Sequence, residues 1–189
     1  DVFLTRDTIL EAPAGTYVRT GYLLVMNGAG VLTDESGVRL PTASDPEYLQ
    51  GDRALFADAD GDGDRDLFLL SNQALVSPAT GTVATTPALR LFTNSSGSFL
   101  AAGASVFPAK DQSDVLQGDA LAVGDLDGDG GPDIVVVSNR APNSGGRGCR
   151  VLRRSGTAWV QASLCMPNPA TGDDGHGTEA EEEHVVRGA

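Results

Sequence analysis

A short pattern, an Asp followed by an apolar run, occurs three times at nearly even spacing and limits what this chain can fold into. It reads Asp1-Val2-Phe3-Leu4-Thr5, then Asp66-Leu67-Phe68-Leu69-Leu70, then Asp133-Ile134-Val135-Val136-Val137, at offsets of 65 and 67 residues. A second set keeps the same order: Tyr22–Met26, Leu89–Thr93 and Cys149–Arg153. Each is followed by a turn signal (Asn27-Gly28, Asn94 to Gly97, Ser155-Gly156) and then another apolar or aromatic stretch. A third set, Gly51–Ala57 and Gly118–Gly124, precedes the later two copies of the first. Recurrence in one order at one spacing marks a repeat protein, whose units bury their apolar faces against one another.

The runs are four to six residues long, rich in β-branched and aromatic residues, and bounded by turn residues. That is strand chemistry. Leu89-Arg90-Leu91 and Val151-Leu152-Arg153 alternate loosely, as half-buried strands do, whereas Ile134–Val137 is apolar throughout and is expected to be buried on both faces. No segment reads convincingly as a helix. Each unit therefore has one strand before an Asp/Gly-rich loop, one after it, and then a hairpin. The expected fold class is all-β: about three four-stranded antiparallel repeats forming β-propeller blades, as a partial propeller or fragment. A period near 65 residues exceeds the roughly 40–50 of common blade repeats, with the excess in Pro/Thr/Gly-rich loops at 72–88 and 139–148.

The expected boundaries are a partial repeat at 1–50 lacking its first strand and metal loop, full repeats at 51–117 and 118–170, and an acidic loop at 171–189 leading toward a next repeat. Asp1 reads as the last Asp of a further loop, and Gly188 matches Gly51 and Gly118. The chain has no starting Met and no signal peptide, so it reads as a mature piece or fragment of a longer array.

Between the first two strands of each full unit lies a loop with Asp at positions 1, 3, 5 and 9. The first is Asp58-Ala59-Asp60-Gly61-Asp62-Gly63-Asp64-Arg65-Asp66 and the second Asp125-Leu126-Asp127-Gly128-Asp129-Gly130-Gly131-Pro132-Asp133. Calcium is a hard cation that takes about six to eight oxygens. So few residues deliver them only if the chain curls around the ion, and the interleaved glycines permit that curl. The expected ligands are Asp58, Asp60, Asp62, Asp64 and Asp66 at one site and Asp125, Asp127, Asp129, Gly131 and Asp133 at the other. Position 7 donates its backbone carbonyl, so Asp64 and Gly131 serve equally. Carboxylates crowded this closely repel one another, and a divalent cation removes the conflict. Magnesium fits less well because it keeps its waters. An ion-free polar turn is the plain alternative for one such loop; two in the same register weigh against it. An EF-hand needs a bidentate acid at position 12 and flanking helices, but position 12 is Leu69 or Val136 and the flanks are strand-like.

Taken together, Ala54-Leu55-Phe56-Ala57 leading into the first loop and Leu67-Phe68-Leu69 leading out of it, with Leu89, Leu91, Phe92, Asn94, Gly97 and Phe99 beyond, resemble FG-GAP/VCBS repeats. The second copy matches from Val123 to Val137 and more weakly over Cys149–Val160, where Trp159 stands in place of the Phe. The family comprises integrin-α-like β-propellers and many large secreted bacterial proteins. The resemblance implies calcium in the loop joining the first two strands of each blade, an extracellular setting, and adhesion or ligand display. It implies no catalytic residues.

Cys149 opens the third strand of its unit and Cys165 follows the fourth. With the hairpin turning near Ser155-Gly156, the two are expected to face each other as a disulfide contributing roughly 3 kcal/mol in the chain-entropy model and favouring an oxidising compartment. Asn94-Ser95-Ser96 is a glycosylation sequon, a triplet frequent by chance. The segment 172–184 holds both His and reads as a solvated acidic loop.

A net charge of −13, from 26 acidic and 13 basic residues, argues against nucleic acid, whose phosphates need clustered Lys and Arg. It equally disfavours an anionic membrane surface. No run approaches the roughly 18 apolar residues of a membrane helix, and there is no nucleophile elbow, P-loop or His-Glu-x-x-His motif. The expected function is a non-enzymatic, calcium-binding propeller segment of a secreted or cell-surface protein, with two Ca²⁺ and an unidentified protein or glycan ligand. The alternatives are an accessory part of an extracellular polysaccharide-degrading enzyme and a calcium sensor.

Overall fold

The structure, a computed structural model, describes residues 1–5, 21–41, 49–72, 88–108, 117–137 and 149–164. Among the described residues, eleven strands make three antiparallel sheets. β1 (Val2–Thr5), β2 (Gly21–Met26) and β3 (Leu32–Asp34) form the first; β4 (Arg53–Ala57), β5 (Asp66–Leu70), β6 (Leu89–Ser95) and β7 (Ser98–Ala101) the second; β8 (Ala120–Gly124), β9 (Asp133–Val137), β10 (Cys149–Ser155) and β11 (Ala158–Leu164) the third. Each sheet is a meander in which sequence neighbours are hydrogen-bonded neighbours. The repeat maps onto this directly. β1, β5 and β9 begin at or just after the recurring Asp, and the first sheet holds the counterparts of the last three strands of the other two. The acidic segment 172–184 and Cys165 lie outside the described residues, as does most of the two long loops.

The sheets stack in series, and the alternation of β5 shows how. Leu67 and Leu69 join Leu23, Leu40, Leu49, Phe92 and Phe99 in the core between the first and second sheets. Phe68 and Leu70 point the other way, into the core with Leu89, Leu91, Ile134, Val136, Leu152 and Trp159 between the second and third. Successive side chains alternate across a strand, so a strand sandwiched between two sheets must be apolar throughout. β6 is buried on both faces from Leu89 to Phe92, where alternation had suggested a half-exposed strand. Arg90, the polar residue of that pattern, is itself buried and donates to the Gln50 carbonyl. β9 departs in the opposite direction: Ile134 and Val136 are buried, while Val137 is exposed. Among the described residues, the third sheet has a neighbour on one face only.

Close approach between sheets explains the recurring Gly118. Its N–H donates to the Ser71 carbonyl of the second sheet (3.1 Å). A Cβ there would lie 2.5 Å from Val136 Cγ1 and 3.1 Å from Leu70 Cδ2. Only a residue without a side chain lets β8 start this near its neighbour.

Two short helical elements were not foreseen, a 3-10 turn at Ala104–Val106 and the single-turn helix α1 (Ser36–Arg39). The Asp34 carboxylate accepts the Ser36 N–H (3.0 Å), and Glu35 pairs with Arg39 one turn on. Local side-chain bonds of this kind start a helical turn where no apolar period signals one. No helix of the described residues is long and apolar enough to cross a membrane.

Candidate metal centres

Each Asp/Gly-rich loop spans the end of one ladder. Ala57 pairs with Asp66 and Gly124 with Asp133, so the last rung clamps both feet of the loop. Above that rung the two loops use the same bonds. Asp58 accepts the Gly61 N–H at Oδ1 (2.7 Å) and the Gly63 N–H at Oδ2 (3.0 Å). Asp125 accepts Gly128 and Gly130 at the same distances. Asp60 and Asp127 accept the N–H groups of Asp62 (3.2 Å) and Asp129 (3.1 Å). Asp62 and Asp129 in turn accept those of Asp64 (2.8 Å) and Gly131 (2.7 Å). The curl requires left-handed backbone at Gly61, Gly63, Gly128 and Gly130, with φ between 79° and 92°, a region costly for a residue with a Cβ.

The ninth position anchors the loop to the sheet. Asp66 has no exposed surface. Its Oδ2 accepts the Ala59 N–H and its Oδ1 the Asn94 N–H, both at 2.7 Å. Asp133 does the same with Leu126 (3.1 Å) and Arg154 (3.0 Å). Asp1 accepts the Met26 N–H at 3.1 Å, the matching bond to the adjacent strand, and so holds the ninth-position place in the first sheet. Burial holds the Asp66 carboxyl above its ordinary value of 3.8, and the Asp60 and Asp62 charges push the same way against the two backbone N–H groups.

Of the ten expected ligands, the structure gathers six. Asp58, Asp60 and Asp66 bring one carboxylate oxygen each within 4.8 Å of one another, and Asp125, Asp127 and Asp133 do likewise. Asp62, Asp64 and Asp129 are not in those clusters, and Gly131 enters the loop bonding through its N–H. An all-carboxylate set of hard oxygens on a glycine-permitted curl suits a hard divalent cation. Ala59 at position 2 packs into the core, fully buried, while its counterpart Leu126 is exposed.

Three participants escaped the sequence reading. Arg153 places its guanidinium on Asp127, where the matching strand position by the first loop is Thr93. Arg154 lies over the Trp159 ring at 4.2 Å and donates through Nη1 to the Ala59 carbonyl of the other loop. Trp159 donates to the Pro132 carbonyl (2.8 Å). The only signal for these was their place just before and after the second hairpin turn. The sequon Asn94 is committed at both ends of its amide, accepting from Gly97 N–H (2.8 Å) and donating to the Arg65 carbonyl (3.1 Å).

No curated protein and no solved structure matches the chain. A protein-family model does: the FG-GAP-like repeat, over residues 58–136. The match runs from the first Asp of the first loop, through the second loop, into β9, so it spans both carboxylate clusters.

Proposed function

We propose that this chain is a calcium-binding segment of a β-propeller in a secreted or cell-surface protein, non-enzymatic, with calcium stabilising its blades for adhesion or ligand binding. The carrying observation is the duplicated loop: two chain segments of different sequence, one with Asp64-Arg65 and the other with Gly131-Pro132, close on the same carboxylate triad through the same set of backbone bonds. Asp58 and Asp125 shape the curl, Asp60 and Asp127 project from its middle, and Asp66 and Asp133 tie it to the sheet. A bound calcium would supply the positive charge that such crowded carboxylates need.

The stacked sheets and the family match support the propeller reading. An unidentified protein or glycan remains the proposed ligand; screening the purified chain for hydrolysis of acidic glycans tests the non-enzymatic part. The strand register supports the Cys149–Cys165 disulfide. A bulge between Val151 and Leu152 brings Arg150 opposite Leu164; in sequence, Cys149 precedes the one and Cys165 follows the other. The extra mass gained on reduction and alkylation reads out that bond.

The deciding experiment is thermal unfolding with EDTA and then with excess calcium. Calcium should raise Tm reversibly, and the Asp60→Asn and Asp127→Asn variants should each lose part of the rise. A Tm indifferent to calcium, with both variants as stable as the parent, sinks the proposal.

A further inference from the structure

We propose that Arg154 couples the two carboxylate loops, so that an ion bound in one tightens binding in the other. The inference rests on the calcium reading and deepens it.

A continuous chain of bonds joins the clusters. Ala59 stands between Asp58 and Asp60, so the peptides on its two sides carry those two carboxylates. Its N–H is held by Asp66 Oδ2 and its carbonyl by Arg154 Nη1, and the residue is fully buried. At the other end, the backbone N–H of Arg154 is held by Asp133 Oδ1. Asp133 Oδ2 holds the N–H of Leu126, which stands between Asp125 and Asp127. Arg154 thus grips one cluster with its main chain and the other with its side chain.

The side chain is not free to swing. Its Nε donates to the Gly156 carbonyl at 2.6 Å, and its guanidinium rests on Trp159. Trp159 is itself buried, stacked on Phe107 and edge-on to Phe68 of the second sheet. Asn94 occupies the equivalent position in the second sheet, and its shorter amide reaches only the Arg65 carbonyl of its own loop. Of the two residues, Arg154 is the one that reaches the neighbouring sheet's loop.

The sign follows from ordering. Converging three carboxylates on an ion fixes the loop around it. An ion in the second loop fixes Asp133 and with it the Arg154 donor, so the first loop has less freedom left to lose. Shared ordering of this kind gives positive cooperativity, and linkage makes it reciprocal.

The test is calcium titration by calorimetry of the parent chain and four variants: Asp127→Asn, Arg154→Met, Arg154→Met with Asp127→Asn, and Arg154→Lys. Asp127→Asn, which disables the second site, should weaken calcium at the first by about fivefold or more, the lower end of typical coupling. In the Arg154→Met background the same substitution should leave the first site unchanged. Arg154→Lys, which keeps a donor, should restore part of the coupling. Met preserves the apolar contact with Trp159; if that variant nevertheless fails to fold, the Asp127→Asn comparison in the parent background still decides. First-site affinity indifferent to Asp127→Asn, or coupling undiminished by Arg154→Met, overturns the role of Arg154 while leaving the calcium reading standing. Absence of calcium binding in the parent chain overturns both.

Discussion

The guanidinium of Arg153 lies on the carboxylate of Asp127, while Thr93 fills the matching strand position beside the first loop. The two loops also differ in acid count, five Asp in the first against four in the second. The second site therefore starts with less negative charge and with a built-in cation already on one of its carboxylates. Arg153→Thr should tighten calcium at the second loop by up to roughly fivefold, since exposed ion pairs are worth about 0–1 kcal/mol. Calorimetry on the Asp60→Asn background isolates that site, and an unchanged or weaker affinity would refute the competition.

Protons should act in opposite directions with and without calcium. The folded-state pKa of Asp66 is raised by burial and by its acidic neighbours, so the ion-free native state binds more protons than the unfolded chain. Its contribution is fully present below the ordinary value of 3.8 and is lost as pH rises through the higher folded value. Ion-free protein should thus lose stability from this group on going from mildly acidic toward neutral pH. Calcium requires the carboxylate form, so the calcium-dependent increment should grow over the same interval. Urea titrations across pH, with EDTA or with calcium, check the crossing slopes; parallel slopes would rule it out.

Trp159 and Phe68 meet edge-on at 5.9 Å across the second and third sheets, with 1% and 0% of their surfaces exposed. Truncating either to Ala should cost about 3–5 kcal/mol, read as a fall in the urea midpoint. Leu100→Ala, at 60% exposure, should change stability by less than about 0.5 kcal/mol. Equal effects at the three positions would mean that the two sheets do not pack on these rings.

Gly118→Ala drives a methyl into Val136 and Leu70 and should cost about 1–3 kcal/mol through overpacking. Gly28 has open space around it, so Gly28→Ala serves as the control. A neutral Gly118→Ala would argue that the chain leading into β8 sits farther from Val136 and Leu70.

Strand positions were legible because Asp-plus-apolar runs recur and because the turn residues between them have few other uses. Loop curl was legible from alternating Asp and Gly. Burial was harder to read. Arg90 made β6 look half-exposed, yet that residue is buried and bonded to the Gln50 carbonyl; only knowing that sheets cover both faces resolves such a pattern. Val137 failed the other way, because apolar composition does not reveal which face of a sheet is covered. α1 rests on bonds from Asp34 and Glu35 that leave no periodic trace. Arg153 and Arg154 are adjacent and chemically alike, yet one reaches its own loop and the other a loop some 95 residues earlier. Nothing but the strand pleat and the stacking of sheets separates those fates.

β5, inside the middle sheet, has no solvent-facing side, since Leu67 and Leu69 serve one neighbour and Phe68 and Leu70 the other. Stability in a serial stack is a sum over neighbouring interfaces, so every opening of β5 must break two of them at once, whereas the first and third sheets can each peel away by breaking one. Amide exchange should therefore be graded along the stack, slowest in β5 and faster toward either end. The described sheets make a short column whose strength lies at its centre, and it would be lengthened or trimmed at its ends with least disturbance to the clusters held within.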